Sequence, residues 1–162
     1  MKHIDAIIFE PVGSLTGSPL APPYDDALPA LTELKALGLT LIAASVLPHD
    51  ELARFLDSSG LRGFFDGVSS VEWTKGDRGA MLRDALEAAQ IAPDHALFIT
   101  DSADGLAAAR AAGVHGILMM NDPDEAMKLT AHNPAGGIVS LLELPDLVRF
   151  VSAAHSAYFG GG

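Results

Sequence analysis

Five polar residues stand beside the ends of short apolar runs. Glu10 follows Ile4–Phe9, Ser45 follows Leu39–Ala44, and Asp101 and Asp104 follow Ala96–Thr100; Lys75 comes just before a long amphipathic stretch. Gathered in one crevice, carboxylates, a hydroxyl and an ammonium group suit a phosphoryl group and a hard cation. Carboxylate oxygens ligate Mg²⁺, hydroxyl and ammonium groups donate to phosphate oxygens, and a carboxylate also serves as nucleophile or proton carrier. Each residue has a plainer use as well. Asp101 and Asp104 can cap a helix, Ser45 can close a turn, Lys75 can sit in solvent, and Trp73 beside Thr74-Lys75 can pack as readily as line a site. Glu10 is harder to place in that way. A carboxylate directly after an apolar strand, followed by Pro11 and Gly13, is costly unless solvated or paired.

The elements that must position these residues alternate along the chain. Strands are expected at Ile4–Phe9, Leu39–Ala44, Phe65–Val71, Ala96–Thr100 and Val114–Met119. Helices are expected at Asp25–Leu37, Pro48–Ser58, Asp77–Ala89, Asp104–Ala112, Asp124–Ala131 and Leu144–Ala154. In the first helix Leu28, Leu31, Leu34 and Leu37 recur every three residues and Gly38 stops the pattern. Strands alternating with helices imply an α/β fold: a three-layer α/β/α sandwich, Rossmann-like, around a mostly parallel five-stranded sheet. Sites in such folds lie beyond the carboxyl ends of the strands, which is where the five polar residues fall. One domain over residues 1–155 is expected, with 156–162 as a flexible tail ending in three glycines.

Composition narrows the function classes. Hydrophobic residues make up 49% of 162, enough for a packed core. There are no cysteines, so disulfides and thiolate metal sites are excluded and a cytoplasmic location is expected. The net charge of −11 repels a polyphosphate backbone, so nucleic acid is not an expected partner. No apolar run is long enough for a bilayer, so no membrane association is expected. Glu10–Leu15 lacks the Gly-x-Gly-x-x-Gly of a dinucleotide site, and no P-loop, Gly-x-Ser-x-Gly elbow or His-x-x-x-His pair occurs. A response-regulator receiver would carry its acidic pair early and its Lys after the last strand, the reverse of the order here. The six histidines, His3, His49, His95, His115, His132 and His155, are scattered and read as surface or ordinary core residues.

The order of the strand-end residues resembles the haloacid dehalogenase-like (HAD) hydrolase superfamily. Its four motifs are an Asp-x-Asp-Gly-Thr-type loop, a Ser/Thr after the second strand, a Lys, and a Gly-Asp-Ser-x-x-Asp-type acidic loop. They stand here as Phe9-Glu10-Pro11-Val12-Gly13-Ser14-Leu15, Ala44-Ser45, Thr74-Lys75-Gly76 and Ile99-Thr100-Asp101-Ser102-Ala103-Asp104. The Ala-rich stretch Ala107–Gly113, the segment Leu61–Asp66 and the closing segment Ile138–Leu147 are also similar to the family, so the likeness runs from about Ile4 to Val148.

The resemblance implies a phosphatase-like reaction on a small phosphoester with Mg²⁺ as cofactor. By position, Glu10, Ser45 and Lys75 take catalytic places. Ser45, Lys75 and Gly13 would hold the phosphoryl group, and Glu10, Asp101 and Asp104 the metal. Two positions depart from the pattern: Glu10 stands for the nucleophilic Asp and Val12 for the acid/base Asp. The extra methylene of Glu adds about 1.5 Å of reach, and misplacing a reacting atom by about 1 Å can cost a hundredfold. Losing general acid/base catalysis costs about 10²–10⁴-fold. Two outcomes therefore stay open: a weak phosphatase, or an inactive relative that binds a small phosphorylated molecule or a protein partner. Leu15–Leu39 and Ser45–Lys75 are too short for a cap domain, so a capless core is expected, with Thr16–Pro23 as a small flap.

Overall fold

The structure, a computed structural model, describes the backbone of residues 3–158 and the side chains as far as Val151. Its centre is a parallel sheet in the order β3-β2-β1-β4-β5-β6. The strands are β1 (Ala6–Phe9), β2 (Thr40–Ser45), β3 (Gly67–Ser70), β4 (Ala96–Thr100), β5 (His115–Met119) and β6 (Gly136–Ile138). All five pairings are parallel, with Ile8 beside Ile42 on one side and beside Phe98 on the other. The sheet has six strands, one more than the sequence predicts. Gly136-Gly137-Ile138 carries a single large apolar side chain, too little to show a period of two. It is held instead by pairing with Ile117–Met119 at the edge.

Helices connect the strands: α1 (Pro11–Ser14), α2 (Ala27–Ala36), α3 (His49–Ser59), α4 (Arg78–Ala89), α5 (Ala103–Ala112), α6 (Pro123–Leu129) and α7 (Leu144–Tyr158). Alternation along each strand divides the core. Ile7, Phe9, Leu41, Ala43, Leu97 and Ile99 face one apolar layer, which Leu31 and Leu34 of α2 and Leu52 of α3 complete. Ala6, Ile8, Ile42, Ala44, Ala96 and Phe98 face the other, closed by Met81 and Leu82 of α4 and Ala109 of α5. Strands buried on both faces explain why β1, β2 and β4 read as continuous apolar runs. This is the three-layer α/β/α sandwich expected from the sequence.

Three expectations shift in detail. In α2 the buried face is Ala27, Ala30, Leu31 and Leu34, while Leu28 is 54% and Leu37 38% exposed. Spacing by three drifts around a helix of 3.6 residues per turn, so a run of such leucines cannot share one face. The third strand starts at Gly67 because Phe65 ends the 3₁₀ turn Arg62–Phe64. Helix α7 extends to Tyr158, three residues into the expected tail; Phe159–Gly162 lie outside the described residues. No helix among the described residues is long and apolar enough to cross a membrane.

Candidate active site

The chain passes from β1 outward through β2 to β3, then returns to β4 on the other side of β1. The gap beyond the carboxyl ends of β1 and β4 is the switch point where doubly wound sheets bind ligands. Glu10 and Asp101 each follow directly on one of these strands. The Glu10 N–H donates to the Ile99 carbonyl at 3.1 Å, which fixes the strand end against β4.

After Glu10 the backbone turns sharply. Val12 and Gly13 leave helical dihedrals inside α1, and Gly13 has φ +104°. The Gly13 N–H donates to the Thr16 carbonyl at 2.8 Å and the Ser14 hydroxyl to the Glu10 carbonyl at 2.5 Å. A Cβ at Gly13 would lie 2.3 Å from Oδ1 of Asp101, so this position must be glycine for space as well as for conformation. The Asn121 amide spans the same corner, donating to the Gly13 carbonyl at 2.8 Å and to Oδ2 of Asp101 at 3.3 Å.

The Glu10 side chain is buried, with 6% of the residue exposed. Its Oε1 accepts the Thr100 hydroxyl at 3.0 Å. Oε2 is buried without a hydrogen-bond partner among the described residues. The nearest cation is Arg78, whose Nη1 stands 3.9 Å from Oε2, beyond hydrogen-bond reach. Burial pushes the Glu10 carboxyl above its ordinary value of 4.5; the Thr100 hydrogen bond and the Arg78 charge pull it back, and the Asp101 and Asp104 charges add to the rise.

Glu10, Ser45, Arg78 and Ser102 line a cavity of about 210 Å³ together with Val12, Pro19, Val46 and Leu47. Ser45 is 1% exposed, and its Oγ accepts the Leu47 N–H at 3.1 Å, so it closes a turn while still facing the cavity. Asp101 faces a neighbouring cavity with Asn121, Asp122 and Glu125; Ser102 is common to both. Ser102, rather than either Asp, caps α5 by accepting the Gly105 N–H at 3.0 Å. Asp104 is exposed in the first turn of α5.

Of the residues singled out in the sequence, Glu10 and Ser45 meet in one cavity, with Gly13 and Asp101 in contact beside it. Lys75 is exposed, ends the 3₁₀ turn Val71–Thr74 in the left-handed conformation (φ 54°), and does not line the Glu10 cavity. Trp73 stacks at a tilt on His49, 4.6 Å between ring centres, and lines a different hollow beside β3. Three contributors escaped the sequence reading. Arg78 is the second residue of the helix predicted after Lys75 and the first of α4, Thr100 is the last residue of a predicted strand, and Asn121 follows the fifth strand. The rule that strand-end polar residues converge could have flagged the last two.

Mg²⁺ demands near-octahedral oxygen ligation and is commonly held by one or two carboxylates, waters and substrate phosphate. The carboxylates that the resemblance assigns to it include Glu10 and Asp101, which follow the adjacent strands β1 and β4, and the charges of Asp101 and Asp104 act on Glu10. Glu10 and Asp101 open onto separate cavities, and no group of three or more His, Asp or Glu side chains among the described residues could hold a metal ion. The unpartnered Oε2 of Glu10 and the carboxylate of Asp101 are the oxygens that would hold such an ion, with waters and substrate phosphate completing its shell.

A doubly wound parallel sheet with a carboxylate at its switch point defines a Rossmann-like α/β scaffold with a crevice at that point. The chain belongs to the haloacid dehalogenase-like hydrolases, whose family model matches residues 2–113. A haloacid dehalogenase-like hydrolase from Streptococcus pneumoniae superposes with a TM-score of 0.80 at 17% identity, covering 93% of this chain and 100% of its own. A haloacid dehalogenase-like protein of unknown function from Agrobacterium tumefaciens gives 0.75 at 18% identity, covering 92% and 99%. A HAD family hydrolase from Deinococcus radiodurans, solved with bound phosphate and sodium, gives 0.67 at 26% identity over 76% of this chain and 57% of its own. A search of the curated proteins gives no match.

Proposed function

We propose that this chain hydrolyses small phosphomonoesters slowly, with Glu10 as nucleophile. The observation that carries this reading is Oε2 of Glu10: buried, without a hydrogen-bond partner, and lining the cavity it shares with Ser45 and Arg78. A buried polar atom left unsatisfied costs free energy that functional sites tolerate. Thr100 fixes the other carboxylate oxygen, which leaves Oε2 as the atom free to attack phosphorus. Arg78 supplies the positive charge for the phosphoryl oxygens, a role for which a planar guanidinium is well suited. The family's Mg²⁺, if held beside Glu10 and Asp101, would add charge neutralisation.

Oε2 forms a bond to phosphorus, the ester P–O bond breaks, and the leaving oxygen departs with the electron pair. Water then attacks phosphorus, phosphate leaves, and the Glu10 carboxylate is restored. Val12 cannot deliver a proton in the first step or take one in the second, which sets the rate about 10²–10⁴-fold below an enzyme with a general acid/base.

The test is steady-state turnover of a panel of alkyl and aryl phosphomonoesters by wild type, Glu10→Gln and Arg78→Ala. Wild type turns over slowly, Glu10→Gln is inactive, and Arg78→Ala loses about 10–100-fold in kcat/KM. Equal rates in wild type and Glu10→Gln would remove the reading. Val12 favours a second reading, a protein that binds a small phosphorylated molecule or a protein partner without turnover. Phosphate binding in calorimetry, with no turnover by any variant, selects it.

A further inference from the structure

We propose that the Glu10 crevice is built for aryl phosphates, phosphomonoesters whose leaving group is a phenolic oxygen; this rests on the hydrolase reading above. Two independent observations point to that class. The first is that the cavity mixes two kinds of lining. Glu10, Ser45, Arg78 and Ser102 supply polar groups able to meet a phosphoryl group, and Val12, Pro19, Val46 and Leu47 supply apolar surface. Val46 is also 42% exposed. A sugar or glycerol hydroxyl laid against Val12 and Val46 would lose water and find no partner. An aromatic ring there removes apolar surface from water, with its phosphoryl group toward Arg78.

The second observation is Val12 at the acid/base position. Without a proton donor the leaving group departs as an anion. An alkoxide is a strong base and a poor leaving group, but a phenol ionises near about 10, well below the roughly 15.7 of water. In the attack by Oε2 of Glu10, the bond between phosphorus and the phenolic oxygen breaks and the phenolate takes the electron pair, gaining its proton later from solvent. Water then cleaves the glutamyl-phosphate, releasing phosphate and a proton. The residue that replaces the acid is also part of the apolar lining that suits the ring. One residue, Val12, does both.

The experiment compares kcat/KM for phenyl phosphate, a series of substituted phenyl phosphates and glycerol 3-phosphate, alongside calorimetric binding of phenylphosphonate and methylphosphonate. Phenyl phosphate is favoured over glycerol 3-phosphate by about a hundredfold or more, and the rate rises steeply as the leaving phenol becomes more acidic. Phenylphosphonate binds about tenfold tighter than methylphosphonate, the worth of a partly buried ring. Val46→Asn shrinks that binding ratio, and Val12→Asp flattens the dependence on leaving-group acidity. Glycerol 3-phosphate turned over as fast as phenyl phosphate, or equal binding of the two phosphonates, overturns the aryl specificity while leaving the hydrolase reading intact. If no phosphonate binds and no ester is hydrolysed, both readings fall.

Discussion

Replacing Glu10 by Gln should stabilise the protein at neutral and alkaline pH. In wild type, Oε1 has the Thr100 hydroxyl but Oε2 is buried with no hydrogen bond, and Arg78 is 3.9 Å away. Leaving a buried polar group unsatisfied costs about 1–3 kcal/mol, more when charged. Gln keeps an oxygen for Thr100 and removes the charge, while its amide nitrogen loses the attraction to Arg78. About 1 kcal/mol of net stabilisation at pH 8 is the expected balance, which raises Tm by about 2–4 °C for a chain of this size. The sign depends on pH. Burial holds the folded-state carboxyl above its ordinary value of 4.5. In the window between, the folded state therefore binds more protons than the unfolded one, and wild-type stability falls as pH rises through the folded value. Below 4.5 the carboxyl is protonated in both states and the advantage of Gln should vanish. Urea melts at about pH 3 and pH 8 measure both limits. A wild type more stable than the variant at pH 8, or a gap that is the same at both pH values, refutes the burial argument.

Two further outcomes follow from the geometry. Gly105→Ala puts a Cβ 1.9 Å from the Thr100 Oγ1 and 2.7 Å from its Cβ; overpacking of this kind costs about 1–3 kcal/mol, and a urea midpoint equal to wild type would show that Thr100 moves aside freely. Asp66→Asn tests an exposed pair. The Lys35 hydrogen bond, assisted by the Leu41 N–H and opposed by slight burial, holds the Asp66 carboxyl below its ordinary 3.8. Its stability contribution is therefore present above that value and lost as pH falls through the folded one. Because the side chains are 34% and 46% exposed, the loss at pH 7 should stay under about 1 kcal/mol, and thermal melts at pH 7 showing a larger loss would contradict a solvent-screened pair.

Much of the fold was legible because strands buried on both faces announce themselves as apolar runs, and because Gly113 and Gly38 mark helix ends. The sixth strand was not, since its place is fixed by pairing to Ile117–Met119 rather than by its own side chains. At the site, Glu10 stood out as a carboxylate at an apolar strand's end, and the structure places it there with Ser45 facing it. Lys75 was picked out by its motif position, while Arg78, three residues on, carried no such mark. Which one faces the crevice depends on where the left-handed turn at Lys75 ends and α4 begins, information that only the folded backbone carries. Asp101 was assigned beside Glu10 through the family resemblance; it lines a cavity next to that of Glu10, with Ser102 common to both.

The space that Gly105 leaves empty ties three positions into one unit. Thr100 is the last residue of β4 and Gly105 lies in the first turn of α5. The Thr100 hydroxyl holds Glu10, and its side chain fills the room that any Cβ at position 105 would need. Positions 10, 100 and 105 are therefore coupled. Asp at position 10 alone shortens the reach to Thr100 and leaves its hydroxyl with Ser102 as its side-chain partner, and a side chain at 105 alone collides with Thr100. A route to an aspartate at position 10, whether by evolution or in the laboratory, is eased when position 100 changes first or with it.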